Sequence, residues 1–187
     1  MKVRNRLTSA ALALILSGCG SSPKTHFYTL STTPAASGQH SISSPVQVTA
    51  VHLPPSLDRR QMVRMTGANS VEVSEVDRWS GAFDEMIRNV LSQDLAVRLS
   101  AGRLIFPDAP PLPGTRMIVV TVAQFGPTAD GEVQLQGSWA LLGEASGRPM
   151  QEHNFLFRAG PAPDAAATAA AMSRTLGELA SAIAHRL

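Results

Sequence analysis

One side chain in this 187-residue sequence carries thiol chemistry, Cys19, and it is the only cysteine. It closes the run Leu16-Ser17-Gly18-Cys19, after an apolar stretch over residues 10–16 and a start that holds Lys2, Arg4 and Arg6. A basic start, a short apolar run and small residues before a cleavage point make the layout of a secretory leader. An ordinary leader needs no cysteine there. The four-residue run is instead a lipobox, at which bacteria attach diacylglycerol to the thiol and cleave just before it. The alternative, a cysteine within a membrane span, asks for about 20 apolar residues, and this run offers about half of that. Residues 1–18 are therefore read as a signal peptide, 19–26 as an acylated tether and 27–187 as the folded domain. The lipid on Cys19 is the one attached group expected, with no separate cofactor.

The other groups that could do chemistry do not converge. His26, His40, His52, His153 and His185 are scattered, with no pair three or four apart and no cysteine partner, so no metal site is expected. The G-x-S-x-G elbow of hydrolases is missing: the stretch around Ser138 has one of the two glycines, and Ser146 sits one position too late. No Gly-rich phosphate loop ends in Lys-Ser or Lys-Thr. Asp84 and Glu85 fit the first turn of a helix better than an acid–base pair. No catalytic residue and no enzyme activity are expected.

Residues 51–65, "VHLPPSLDRRQMVRM", stand apart because they mix apolar and basic side chains after a double proline. Leu53, Leu57, Met62 and Val63 suit a core, and Asp58 suits a bond to its own backbone. The competing reading is a contact surface on which Arg59 and Arg60 meet a partner or lipid headgroups.

The elements that must position these residues follow from periodicity. The short run 27–30 reads as a strand, and 31–45, rich in Ser, Thr, Ala, Gly and Pro, as a flexible loop. Residues 46–53 alternate with period two and end at Pro54-Pro55, so they form a strand. Two β-like runs flank Gly67-Ala68-Asn69, a hairpin in which glycine is expected to supply a positive φ. Phe83, Met86, Ile87, Val90, Leu91, Leu95 and Leu99 recur at helical spacing before Gly102. Residues 115–125 are apolar on both faces, as a central strand should be. A turn at Asp130-Gly131 precedes a strand with Val133, Leu135, Trp139 and Leu141 on one face, and "GEASGRP" leads to a further strand over 150–157. A second helix starts near Pro163-Asp164 with the stripe Met172, Leu176, Leu179, Ala180, Ile183 and Leu187. The expected class is α+β: a mostly antiparallel sheet with two amphipathic helices packed on one face, a two-layer sandwich.

The chain carries 16 basic and 14 acidic residues, and 44% of it is hydrophobic. The leader takes three of the basic side chains and none of the acidic ones, leaving a near-neutral domain. That argues against nucleic acid, whose binding rests on clustered Lys and Arg. With one thiol acylated there is no internal disulfide, and the fold stands on its core. Seven residues separate Cys19 from His26, a reach of at most ~25 Å. Gly20 and Ser21 lack the aspartate that commonly retains lipoproteins at the inner membrane, so the outer membrane's inner leaflet is the expected location.

The lipobox, the strand at 27–30, "VQVTAVHLPPSLDRRQMV" and Arg78-Trp79 opening a helix together resemble the ABC-type transport auxiliary lipoproteins, the family of the paraquat-inducible protein C lipoprotein. Its pattern runs V-x-V-x-x-V-x-L-P-x-x-L-D-R-P-Q-x-V, followed by a Trp-led helix and a terminal Ala-rich helix. Val46, Val48, Val51, Leu53, Pro54, Leu57, Asp58, Arg59, Gln61, Val63 and Trp79 match it, and Arg60 stands where the pattern has proline. The resemblance implies a non-enzymatic periplasmic lipoprotein that works with MCE-domain proteins of an inner-membrane transport system, which carry lipid between membranes. On that reading Leu53, Pro54, Leu57, Asp58, Arg59, Arg60 and Gln61 bind the partner, phospholipid is a second contact, and self-association into a ring matches the symmetry of MCE assemblies. A lipid carrier with an apolar cavity between helix and sheet is the alternative, and an anchored hydrolase a third.

Overall fold

The computed structural model describes residues 23–35, 39–143 and 149–187. Cys19 and the leader lie outside them, as do residues 144–148 of the predicted turn. The elements run β1 (His26–Tyr28), β2 (Val46–His52), β3 (Gln61–Gly67), β4 (Ser70–Trp79), α1 (Phe83–Arg98), β5 (Leu104–Ile105), β6 (Arg116–Pro127), β7 (Val133–Leu142), β8 (Pro149–Ala159) and α2 (Ala165–Ala184).

The class is α+β, but the expectation of one mostly antiparallel sheet is corrected: there are two sheets, and both are mixed. The larger has the order β5-β2-β6-β7-β8, with β5 and β6 parallel to β2 and the remaining pairs antiparallel. The smaller has the order β1-β4-β3, with β1 parallel to β4 and the β3–β4 hairpin antiparallel. The physical reason is routing. Between β2 and β6 the chain makes the hairpin and then α1, so it re-enters the large sheet by a crossover, and a crossover returns a strand parallel.

Both helices lie on one face of the five-stranded sheet, as their stripes require. On α1, Phe83, Ile87, Val90, Leu91 and Leu95 are buried, as is Leu99 just past its end; on α2, Met172, Leu176, Leu179, Ala180 and Ile183 are. They meet Ile118, Val120 and Val122 of β6 and Val133, Leu135, Trp139 and Leu141 of β7 within one core. The Asp164 carboxylate caps α2 by accepting from Ala167 N–H at 2.7 Å, the role its position before the alanine run foretells. β6 is the middle strand, yet only one of its faces is covered: Thr121 and Ala123 point to the exposed side.

Two turns divide the glycine expectations. Gly131 has φ +82°, and Gly131 N–H reaches the Thr128 carbonyl at 2.9 Å, as the Asp130-Gly131 turn predicts. The β3–β4 hairpin instead turns through Ala68 and Asn69 with no positive φ at Gly67.

The small sheet closes one end of the core. Met62 and Trp79 are buried, Trp79 stacks on Phe83 at 4.7 Å, and Phe83 faces Phe125 at 5.7 Å.

The stretch after β1 is a loop, as expected, but a fastened one. Leu30 is buried, and Ser31 N–H donates to Ser173 Oγ at 3.0 Å. Thr33 N–H donates to Asp94 Oδ1 at 2.7 Å, and Thr33 packs against Gly177, where a side chain would overlap it. Residues 29–34 thus form a strap across both helices. Asp94, 0% exposed, is paired with Arg98 at 3.3 Å, and its Oδ2 has no partner among the described residues. Burial pushes the Asp94 carboxyl above its ordinary value; Thr33 N–H and the Arg98 guanidinium pull the other way without overcoming it. With the folded pKa above the unfolded one, the stability from this group is full at low pH and declines as pH rises through the folded pKa. Relative to Asp94→Asn, the native chain is expected to lose unfolding free energy as pH climbs from the ordinary carboxylate value of about 4. Urea titrations of both proteins between about pH 3 and 7 check this. A difference that stays flat, or rises, with pH contradicts it.

Candidate docking site

The segment 53–61 connects β2 to β3 as a tight turn. Leu57 N–H and Asp58 N–H both donate to the Pro54 carbonyl, at 2.9 and 3.1 Å, and Arg59 N–H donates to the Leu57 carbonyl at 2.8 Å. At its far end the Arg60 carbonyl accepts from Trp79 N–H at 2.6 Å, which ties the turn to the end of β4. Its backbone is therefore set by hydrogen bonds at both ends, with Arg60 in the place of proline.

Side chains divide along this turn. Leu53 and Leu57 are half-buried against the core, and Met62 just beyond is buried, so the core reading holds for them. Asp58, Arg59 and Arg60 are exposed, while Pro54 and Gln61 are intermediate. Leu53, Leu57 and Met62 thus hold the turn down, while the consecutive Asp58, Arg59 and Arg60 present its charges to solvent. Beside it runs an apolar groove of about 280 Å³, lined by Leu57, Val63, Met65, Val71 and Phe125 among others. A guanidinium offers five directed donors, and beside an apolar groove it makes the mixed surface that protein interfaces favour.

A second groove, of about 430 Å³, lies between the small sheet and the start of α2. There Tyr28 Oη donates to Asp77 Oδ1 at 3.2 Å, Ser74 Oγ donates to Asp77 Oδ2 at 3.0 Å, and His26 Nδ1 lies 3.4 Å from Asp77 Oδ1. Partial burial and the Asp77 carboxylate raise the Tyr28 pKa above its ordinary value. Ser74 and His26 both spend their bonds on Asp77, so no base is aimed at the serine. What the cluster does is clasp β1 to β4. Among the described residues no group of three or more His, Cys, Asp or Glu is placed to hold a metal.

Sequence reasoning missed the strap. Its signal was the placement of Asp94 and Arg98, each three residues beyond a leucine of the α1 stripe, on the apolar face itself. His40 and His185, far apart in sequence, bring their rings to 4.3 Å where the two helices end.

The chain matches the family model described as the ABC-type transport auxiliary lipoprotein component over residues 28–184. It belongs to this family. The description makes a member an auxiliary part of a transport system, one that works with other components. Two solved structures share the fold. One is a crystal structure titled as an uncharacterized protein, at 18% identity and TM-score 0.72, covering 88% of this chain and 99% of that one. The other is a protein from Xanthomonas campestris assigned to DUF330, at 14% identity and TM-score 0.65, covering 86% and 92%. No curated protein matches. Among the described residues, no helix of this auxiliary lipoprotein is long and apolar enough to cross a membrane.

Proposed function

We propose that this chain is an outer-membrane-anchored periplasmic lipoprotein of a Gram-negative bacterium, the non-enzymatic docking component of an MCE-type intermembrane lipid-transport system. Cys19 carries the acyl chains, and two or more chains are enough for stable anchoring. Leu53, Pro54, Leu57, Asp58, Arg59, Arg60 and Gln61 form the docking turn. The observation that carries this reading is the pair of exposed arginines held on a backbone-locked turn. The lipid-carrier alternative wants a cavity between helices and sheet. At Trp79, Phe83, Phe125 and Met172 the space there is about 10 Å³, and the groove of about 430 Å³ between the small sheet and α2 is lined by Tyr28, Arg64, Glu72, Ser74, Asp77 and Asp164 among others, a polar lining that does not suit an acyl chain. Self-association into a ring is part of the proposal, since a ring shares the axis of the MCE assembly and multiplies weak contacts.

Arg59→Glu combined with Arg60→Glu tests the docking turn. Interface arginines at hot spots contribute about 2 kcal/mol or more each, so losing both should weaken docking by about 1,000-fold, and recovery of the MCE-domain protein from crosslinked envelopes should be lost. Both side chains are exposed, and the circular-dichroism spectrum and unfolding midpoint should stay native. Leu57 is unsuited to this test because its packing couples docking to folding. Unchanged recovery removes the turn from the interface. Sedimentation of the same samples reads the ring directly, and a monomer alone and in complex leaves side-docking as the arrangement.

A further inference from the structure

The β3–β4 hairpin has one apolar and one polar face. Val63 stands opposite Val73 and Met65 opposite Val71, while Arg64 stands opposite Glu72 on the other side. Val71 is 57% exposed and Val73 36%, an uncovered apolar surface near the tip.

The direction of β1 says what lies there. β1 is parallel to β4, with His26 opposite Asp77 and Tyr28 opposite Trp79. The chain before His26 therefore arrives from the side of the hairpin tip. Cys19 is seven residues before His26, at most ~25 Å away. The hairpin projects in the same direction by the six steps from Gln61 to Gly67, roughly 20 Å at ~3.3 Å per residue. The tether is barely longer than the hairpin beside it.

We propose that the exposed apolar residues of the hairpin, Val71 and Val73, seat in the lipid surface that carries the Cys19 anchor. This rests on the reading of Cys19 as acylated. The hairpin then acts as a second contact with the bilayer and fixes the orientation of the domain. The docking turn joins the base of the hairpin where the Arg60 carbonyl meets Trp79, and its Ser56 and Leu57 line the same groove as Val71, so the lipid contact also sets how Arg59 and Arg60 face an incoming partner.

The test uses the full-length chain, expressed, processed and purified from membranes, then reconstituted in vesicles of phosphatidylethanolamine and phosphatidylglycerol. Cys19 is the only native cysteine, and acylation blocks it, so Val71→Cys and, separately, Ala101→Cys beyond the far end of α1 can each take one environment-sensitive fluorophore. Both positions are exposed, so the variants should fold. The label at 71 is expected to shift to the blue, at least double its emission and be quenched by nitroxide-bearing lipid. The label at 101 should keep its aqueous spectrum. Mass analysis of the Cys19 peptide is read on the same samples. Acylated Cys19 with an aqueous label at 71 overturns the inference alone. Equal shifts at both positions, or a shift at 71 that appears only when envelope protein is added, also overturn it, the latter in favour of a protein occupant. An unmodified Cys19 overturns the anchoring reading and this inference with it.

Discussion

Arg98→Met is expected to lower the unfolding free energy by about 3–5 kcal/mol, the range for breaking a buried pair from one side. Arg98 is 5% exposed and holds the strap and both helices at once. Its Nε donates to Ser181 Oγ at 2.9 Å on α2, and its Nη1 to the Asp94 carbonyl at 2.8 Å on α1. Its Nη2 donates to Thr33 Oγ1 at 3.1 Å and the Pro34 carbonyl at 3.3 Å on the strap. Methionine fills much of the volume but leaves the Asp94 carboxylate buried without its cation. That carboxylate already has one oxygen without a partner. Urea unfolding followed by circular dichroism measures the loss. Adding Asp94→Leu to Arg98→Met should restore a large part of it, because the stranded charge is then gone. A single-variant loss under about 1 kcal/mol would mean that the pair is solvated in a way its burial does not suggest.

Gly137→Ala should cost about 3 kcal/mol or more by forcing an atom into a filled space. Gly137 lies on the covered face of β7, opposite Val122 of β6 and Phe155 of β8. A β-carbon there would overlap the Thr121 carbonyl oxygen and stand 3.0 Å from Phe155 Cζ. The phenyl ring can turn aside. The carbonyl belongs to the ladder in the middle of the large sheet, so relief requires β6 to move against β7. Gly160→Ala is the control, since nothing lies within 4 Å of a β-carbon at that site. It should leave the urea midpoint unchanged or slightly raised. Equal behaviour of the two variants would show that the β6–β7 pair yields more easily than its register suggests.

The turn at residues 53–61 was legible in part. Its composition marked residues 51–65 as unusual, and the apolar and charged members could be named. Which faced the core was left open, because after a double proline no period assigns sides. The backbone bonds to Pro54 and Trp79 decide it, and they tuck Leu57 while leaving Arg59 and Arg60 in water. Cys19 rests on sequence alone, a covalent signal read by its neighbours rather than by the fold.

By itself the sequence determined both helices and most of the strands, and which side of α1, α2 and β7 is buried, but neither the short β5 nor the open face of β6. Val133, Leu135, Trp139 and Leu141 alternate, and the α1 leucines recur at three and four, because each element must hide one face to form at all. Asp164 announced the start of α2 for an equally local reason. Only the tertiary structure decided how the elements meet. Alternation is the same whether the neighbouring strand runs parallel or antiparallel, so the two mixed sheets come from the path of the chain, not from any strand's pattern. The strap shows the same limit. Thr33 and Gly177 lie 144 positions apart and carry no period, and Asp94 and Arg98, though set on the apolar face of α1, do not name what covers them. Their burial depends on the β1 strap arriving across both helices, a long-range contact that no local spacing records.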